Sequence, residues 1–577
     1  MKTKLVNENH KENYTDNLLI NRGISKEDLQ SFYNPTVNLL QEPEAFKNIA
    51  QGFNLILKHI SKQSNVAIVV DSDVDGFTSA AIIYQYLQKI APSLHMEYFL
   101  HSGKGHGLSD TIEDITSSNT SFQLVILPDA GSNDWKYHEE LKEYGADCLV
   151  LDHHIVEPDT QIINNTIIIN NQDSEKYHNK DLSGAGVAWQ FCRFIDRVNG
   201  TPYAFDYIDL AALGIVSDMM SVLELENRYI ITTGFSNIKN YFFKCLCEKQ
   251  SYSMGGKVTP MTVAFYITPL INAMIRTGTM EEKRRCFEAF IDGHKLVESH
   301  KRGAKGTMEE VAIESARECT NARARQNRIL DKAVEELEIK IHKYDLLENK
   351  ILFIRLDEED FPPELNGLVA MKLSAKYQRP TIVARLNDED IVRGSSRGLN
   401  ESELKSFKAF MDDSGFFEYT AGHDNACGIS IPNYSIDAFH KYANKKLEGV
   451  DFGENWYEVN FERIAADKDI RELIEDLTEH EDIWGQHNSE PMIHILDLNV
   501  SKSDIRVMGK NQDTVKIEKN GVAYMFFKCK DRIKDFEQFK DMKIELVGRA
   551  NMNEWNGNYT PQIFVTDFEV NDNSLGF

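Results

Sequence analysis

The chain has 577 residues, 42% apolar and 27% charged, which is ordinary for a soluble protein with room for roughly three or four domains. Its formal charge of −26 counts against broad coating of duplex nucleic acid, because phosphate contacts need lysine and arginine. The eight cysteines include no CxxC pair, which excludes a zinc ribbon or a disulfide framework and predicts a reducing, cytoplasmic setting. The N-terminus lacks a signal-peptide stretch, and no apolar run nears the roughly 20 residues of a membrane span.

Residues 1–60 read as a helical lead-in, with turn signals at Pro35 and Pro43. A domain over 61–300 opens with NVAIVVD, a short β-branched run ending in acid, followed by the helical TSAAIIYQYLQKI. The pattern repeats through HMEYFL and QLVILPD, a helical span around Trp135–Tyr144, and DCLVLDHH. Continuous Val/Ile/Leu runs alternating with helices predict a parallel sheet covered on both faces, with ligands at the carboxyl ends of its strands. Residues 301–348 read as a connecting helix: Leu330, Val334, Leu337 and Ile341 share one apolar face, and the preceding NARARQNR continues it as a solvated stretch. Residues 349–447 return to strand–helix alternation and predict a smaller α/β domain. Residues 455–577 carry short strand-like runs with Gly/Asn turns, which predict a small β-barrel of OB type. Within it Trp484, Tyr524, Phe526, Phe527, Trp555 and Tyr559 are either barrel core or a stacking platform for bases.

Four segments end on acid or imidazole: Asp71-Ser72-Asp73-Val74-Asp75, Asp129, Asp152-His153-His154, and Asp218 in AALGIVSDMM. One aspartate after a strand is ordinarily a helix cap, and a His-His pair is ordinarily surface. An EF-hand is excluded because Ile82 stands where that loop needs glutamate. Four such sites in series are different, because burying an unpaired carboxylate is costly. Carboxylates with imidazole suit Mn²⁺ or Mg²⁺, and two such ions a few Å apart suit phosphodiester hydrolysis.

The set, with VLDHHIVEPD at its centre, resembles the four motifs of the DHH phosphoesterases. The lead-in LLINRGISKEDLQSFYNP, the segments SGAGVAWQF and YITPLINAMIR, and the tail IWGQHNSEP resemble the RecJ-like single-strand-specific exonucleases within that family. GSSRG and AGHDNACG resemble the signatures of the DHH-associated domain. The resemblance implies an α/β fold with a parallel-sheet catalytic domain, a DHH-associated domain after a long helix, and a terminal OB-type barrel. It implies that Asp71, Asp73, Asp75, Asp129, His153 and Asp218 hold two Mn²⁺ or Mg²⁺ ions. Asp129 would bridge them, and which of Asp71, Asp73 and Asp75 ligate directly is open. His154 would face the scissile phosphate, with Asp152 orienting its neighbours. Arg276, Ser395, Ser396 and Arg397 would grip strand phosphates, and Gly422 and His423 would lie beside the scissile group. The family carries an arginine where His101 stands here, with Lys104 nearby, and both are candidates for strand contact.

The implied activity is 5′-to-3′ hydrolysis of single-stranded DNA in recombination and repair, releasing nucleoside 5′-monophosphates. The implied partners are the strand itself and a helicase or single-strand-binding protein, for a monomer without membrane attachment. Two alternatives stand beside it: a phosphodiesterase for short oligonucleotides or cyclic dinucleotides, and a non-catalytic single-strand-binding scaffold. Intact motif aspartates weigh against the scaffold, and the lead-in and barrel weigh against the phosphodiesterase.

Overall fold

The structure, a computed structural model, describes the whole chain except Lys104, Lys305, residues 357–359, Glu454, Asn556, residues 574–577 and the side chain of Trp555. It forms two compact units, one of residues 23–326 with 482–489, the other of residues 1–22, 327–481 and 490–577.

The first unit is built on five parallel strands: β1 (Val66–Val70), β2 (Met96–Leu100), β3 (Leu124–Pro128), β4 (Asp147–Asp152) and β5 (Thr166–Asn170). Their order is β2-β1-β3-β4-β5, every pair parallel. β1 and β3 are fully buried, as expected of Val/Ile/Leu strands covered on both faces. One face packs on α1 (Val74–Ile90), α2 (Gly184–Asn199) and α3 (Ile208–Ser217), and a second core lies on the other face under Leu108, Ile112 and Leu141. β5, TIIIN, is a short run that the sequence reading passes over. The chain leaves β1 toward one edge of the sheet and returns as β3 on the other side of β1. Their carboxyl ends therefore flank the point where the winding reverses, where such sheets bind ligands. Asp71 follows β1 and Asp129 follows β3. Further on, α4 (Thr268–Thr277) is entered through a π-turn at Val263–Ile267.

A 33-residue helix, α5 (Val311–Lys343), runs on from the first unit into the second. Leu330, Leu337 and Ile341 are buried as predicted, with Ala333 beside them and Val334 at the margin. The second unit holds a five-stranded sheet, from β6 (Leu352–Leu356), β7 (Thr381–Leu386), β8 (Ile391–Arg397), β9 (Tyr419–His423) and β10 (Ala426–Pro432), in the order β9-β10-β8-β7-β6. It also holds a seven-stranded sheet between Phe461 and Asp572.

Two features depart from expectation. Lys2–Leu5 is a strand, paired in parallel with Trp456–Val459, so the lead-in is not wholly helical. Four residues are too few to show an alternating pattern, and the pairing partner lies far along the chain. The segment 482–489 belongs to the first unit, and Trp484 is buried there, so this tryptophan is no part of the terminal sheet. In that sheet Tyr524 and Phe526 are core, while Phe527 and Tyr559 are exposed. Trp555's side chain lies outside the described residues. Among the described residues no helix is long and apolar enough to cross a membrane.

Candidate metal centre

The carboxyl ends of β1 and β3, the start of α1 and the end of α3 converge. Asp73 caps α1, its Oδ1 accepting from the Gly76 amide at 2.9 Å. Asp71 is buried and held at both oxygens, Oδ1 by the Gly107 amide at 2.9 Å and Oδ2 by His106 Nδ1 at 2.7 Å. Asp75 reaches the start of α2, where it accepts from Ser183 Oγ at 2.9 Å and from the Gly184 and Ala185 amides at 2.6 and 3.1 Å. Asp129 sits in the left-handed region at φ 70°, a strained conformation of the kind that concentrates at functional sites. Its Oδ1 is buried without a hydrogen-bond partner among the described residues.

Imidazoles complete the set. His153 Nε2 lies 3.3 Å from Asp129 Oδ1 and 3.4 Å from Asp218 Oδ2. Asp152 orients both histidines: it accepts from the His153 amide at 2.7 Å and meets His154 Nδ1 at 2.8 Å. Its second oxygen accepts from the Ser132 amide at 2.9 Å. Three groups of ligand atoms lie within 4.8 Å of one another: Asp71–Asp73–Asp129, Asp75–His153–Asp218, and Asp129–His153–His154. Asp129 belongs to two of them.

The charges do not balance within the protein. Burial, then Asp75, Asp73, Asp71 and Asp218, pushes the Asp129 carboxyl well above its ordinary value. Burial, then Asp71 and Asp75, lifts Asp73 to about 6, and burial, then Asp75 and Asp73, lifts Asp218 to about 8. Burial, then His154, holds His153 below its ordinary value, so it is the neutral imidazole a metal needs. For His154 burial works downward, but Asp152, with Asp218 and Asp71, outweighs it and raises the ring to about 9. Burial works upward on Asp152, and hydrogen bonding to His154 with the two imidazole charges turns the net shift downward. Carboxylates that resist ionising together lack a countercharge, and divalent cations supply one. The orphaned Asp129 oxygen and the oxygen-plus-imidazole donor set both fit Mn²⁺ or Mg²⁺.

Of the expected strand contacts in this unit, Arg276 lies on α4 and is half-buried. Burial pushes its guanidinium pKa down and the Asp73 charge works against that, and among the described residues its guanidinium makes no hydrogen bond. His101 does not fit. Its side chain is 0% exposed, tied through Nδ1 to Asp110 and with Nε2 3.6 Å from Asp71 Oδ1, so it is buried against the carboxylates and not open to a strand. Lys104 lies outside the described residues.

In the second unit the pairing register decides. Arg397 is opposite Ala426, which is opposite His423, and Ser395 is opposite Gly428, which is opposite Ala421. Ser395, Arg397 and His423 therefore share one face over a floor of small residues. Ser396 points the other way. It is 1% exposed and its Oγ lies 3.0 Å from Cys427 Sγ, so it packs the sheet and is not a phosphate contact. Gly422, at φ 126°, is exposed beside His423.

The chain matches the model of the DHH family N-terminal domain over residues 65–215 and that of the RecJ OB domain over residues 463–567. It is 35% identical, over 96% of its own length and 95% of the other's, to a Bacillus subtilis protein named as an SPbeta prophage-derived single-strand DNA-specific exonuclease, YorK. The chain belongs to the RecJ branch of the DHH family. It is 25% identical to the single-stranded-DNA-specific exonuclease RecJ of Bacillus subtilis, over 96% of this chain and 68% of that one. Its fold matches the crystal structure of Thermus thermophilus RecJ in complex with Mn²⁺, with a TM-score of 0.73 at 17% identity, covering 98% of this chain and 79% of that one.

As a RecJ-type DHH chain, it carries site residues that motif reading alone misses. His106 and Gly107 grip Asp71, and Ser183 with Gly184 grips Asp75. A Cβ on Gly184 would meet Asp129 Oδ1 at 2.2 Å, and one on Gly214 would meet Asp75 Oδ1 at 2.2 Å. The glycines in SGAG and AALG let backbone approach the carboxylates. That pattern is visible in sequence only as small residues near the motifs.

Proposed function

We propose that this chain is a two-metal exonuclease that degrades single-stranded DNA from the 5′ end in recombination and repair, releasing nucleoside 5′-monophosphates. The observation that carries the reading is Asp129, a buried carboxylate shared by two ligand groups, with one oxygen that makes no hydrogen bond among the described residues. Asp71, Asp73 and Asp129 would hold one Mn²⁺ or Mg²⁺, and His153, whose Nε2 lies within 3.4 Å of both Asp129 and Asp218, would hold the other with those two carboxylates, Asp75 bracing this group from the α2 terminus. Two such ions, when bound, activate a water and neutralise charge on the phosphodiester.

The protein's own groups do the rest. His154, with 56% of its side chain exposed, is held by Asp152 through Nδ1, so Nε2 points its proton away from that bond. Raised to about 9, the ring is a cation at neutral pH and donates to the scissile phosphate as charge builds there. Arg276 forks onto a non-bridging oxygen of the strand. Arg397, Ser395, Gly422 and His423 contact further phosphates on their own unit, and exposed Phe527 and Tyr559 stack bases. The single-strand specificity in the names of the YorK and RecJ relatives supports this choice of substrate.

The test is digestion of 5′- and 3′-labelled single strands and of blunt duplex in Mn²⁺, with Asp129→Ala alongside. The 5′ label should leave first, as mononucleotide, the duplex should resist, and Asp129→Ala should be inactive while still folded. Earlier release of the 3′ label refutes the polarity, and near-normal turnover in a folded Asp129→Ala refutes the metal assignment.

A further inference from the structure

The helix Leu225–Ser236 begins with three polar residues in a row, Glu226, Asn227 and Arg228, each no more than 3% exposed. Burying them is tolerable only if all three find partners. Glu226 accepts from Tyr177 Oη and the Gln41 amide, and Arg228 donates to the carbonyls of Phe32 and Asp482, so both fasten distant segments to this unit. Asn227 does something different. Its amide nitrogen donates to two main-chain carbonyls, Asp181 at 2.7 Å and Ser221 at 3.0 Å, and its oxygen accepts from Asn179 Nδ2 at 2.9 Å.

Both carbonyls lie in segments that serve one ligand group, Asp75–His153–Asp218. Asp181 comes just before Ser183 and Gly184, which hold the two oxygens of Asp75. Ser221 comes just after Asp218, at the end of α3. That end is strained. The Met219 and Met220 amides donate back to Val216 and Ile215 at 3.3 and 3.0 Å, a Schellman turn in which Met219, at φ 60°, stands where glycine is usual. Such a conformation persists only where its surroundings over-determine it. Asn227 on the Ser221 carbonyl is one restraint. The other comes from Asp482–Ser489, which belongs to this unit. Gln486 O accepts from the Val222 amide at 3.2 Å, and Gly485 packs so closely that a Cβ there would meet Val222 Cγ1 at 2.7 Å. Buried Asn488 fixes this turn by donating to Ile483 O at 2.9 Å.

We propose that Asn227, backed by the turn at 485–488, is a positioning residue that holds Asp218 in register with the Asp75 brace and so sets the affinity of the second metal group. The proposal rests on the two-metal part of the function above. Among the described residues, the Asn227 side chain makes no bond to Asp71, Asp73 or Asp129, so its effect is confined to one ion.

The experiment is a calorimetric Mn²⁺ titration of the metal-free full chain, with the urea midpoint read on the same samples. Wild type should bind in two steps, and Asp218→Ala identifies the step that belongs to the second group. Asn227→Ala should weaken that step about 10- to 100-fold, the range for removing a residue that supports a ligand, and leave the other step unchanged. The double variant should lose less than the two single losses combined, because both act through Asp218. Gly485→Ala displaces Val222 without touching Asn227. It should weaken the same step to a smaller degree, and it decides the matter if Asn227→Ala does not fold. Tyr86→Phe is the stability control. It removes a buried hydrogen bond to Asp196, 2.9 Å long and about three turns along α1 from Asp75, and should lower the urea midpoint with both Mn²⁺ steps intact. If Asn227→Ala and Gly485→Ala weaken both steps alike, or neither, the positioning role is overturned, and strand digestion by the wild type still supports the exonuclease reading. If the wild type binds in two steps but does not shorten a single strand, the exonuclease reading falls and the role stands. A wild type that binds fewer than two Mn²⁺ ions overturns both.

Discussion

Gly184→Ala tests how closely the centre is built. The new methyl would meet Asp129 Oδ1 at 2.2 Å, and Asp129 Cβ and Cα at 2.5 and 2.6 Å, whereas ordinary contact begins at 3.4 Å. Two of these atoms cannot swing away, so Asp129 must retreat by roughly 1 Å, a displacement that costs about 10²-fold in rate when it misaligns a reacting group. Overpacking costs about 1–3 kcal/mol, and alanine's better helix propensity returns about 0.5–1 kcal/mol, so the net loss of stability is small. Gly186→Ala is the control. On the same helix, its methyl would meet only the Leu182 side chain, at 2.3 Å from Cδ1, which can rotate. Turnover on a labelled single strand, Mn²⁺ affinity by titration calorimetry and the urea midpoint should be read for both. The expected result is comparable stability with about a hundredfold lower turnover and weaker Mn²⁺ binding in Gly184→Ala alone. Equal turnover in the two variants would refute the argument that Gly184 sets the position of Asp129.

Three further outcomes follow from the structure. His106→Ala frees Asp71 Oδ2 and should weaken Mn²⁺ binding about 10- to 100-fold, as removal of a hydrogen-bond partner from a ligand does; calorimetry showing wild-type affinity would exclude this role. Arg397→Ala should weaken strand binding about tenfold or more and flatten its dependence on log salt by roughly 0.7, with Arg397→Lys rescuing only in part, and anisotropy across a salt series reads all three. At Asp147, burial raises the carboxyl pKa, but hydrogen bonds from Lys58 and from His59 Nε2, the latter at 2.9 Å, outweigh it and leave the pKa depressed. A depressed folded-state pKa contributes stability that is present above the unfolded value, about 3.9, and lost as pH falls through the folded one. Asp147→Asn should therefore have a lower urea midpoint than wild type at pH 7, with the gap closing below about pH 4; a constant gap would refute the linkage.

The catalytic sheet was legible because its strands are buried on both faces, so β1, β3 and β4 each appear as an apolar run stopped by a charge. The residues of the candidate metal centre were legible for the same reason. What stayed hidden depends on direction or distance. Ser395 and Ser396 are the same residue type one position apart, and only the register of β8 against β10 shows that one faces out and the other faces Cys427. His101 occupies an arginine's place, but its burial depends on Asp110, nine positions on. Arg323 and Arg325 sit in one charged run, and the fold alone shows that Arg325 pairs with Glu282 while Arg323 bonds Gln326. The Lys2–Leu5 strand finds its partner in the second half of the chain, beyond any local pattern.

That strand bears on how the polypeptide is made. Asn7, just past it, hydrogen-bonds a residue 453 positions later. On a ribosome adding about 5–20 residues per second, the opening segment waits on the order of half a minute or more for that partner to emerge. Residues 23–326 form one compact unit with Asp482–Ser489, so most of that unit is synthesised well before its last segment. Lys2–Leu5 is thus made early relative to its partner and paired late, and in the interval it is open to capture by a chaperone.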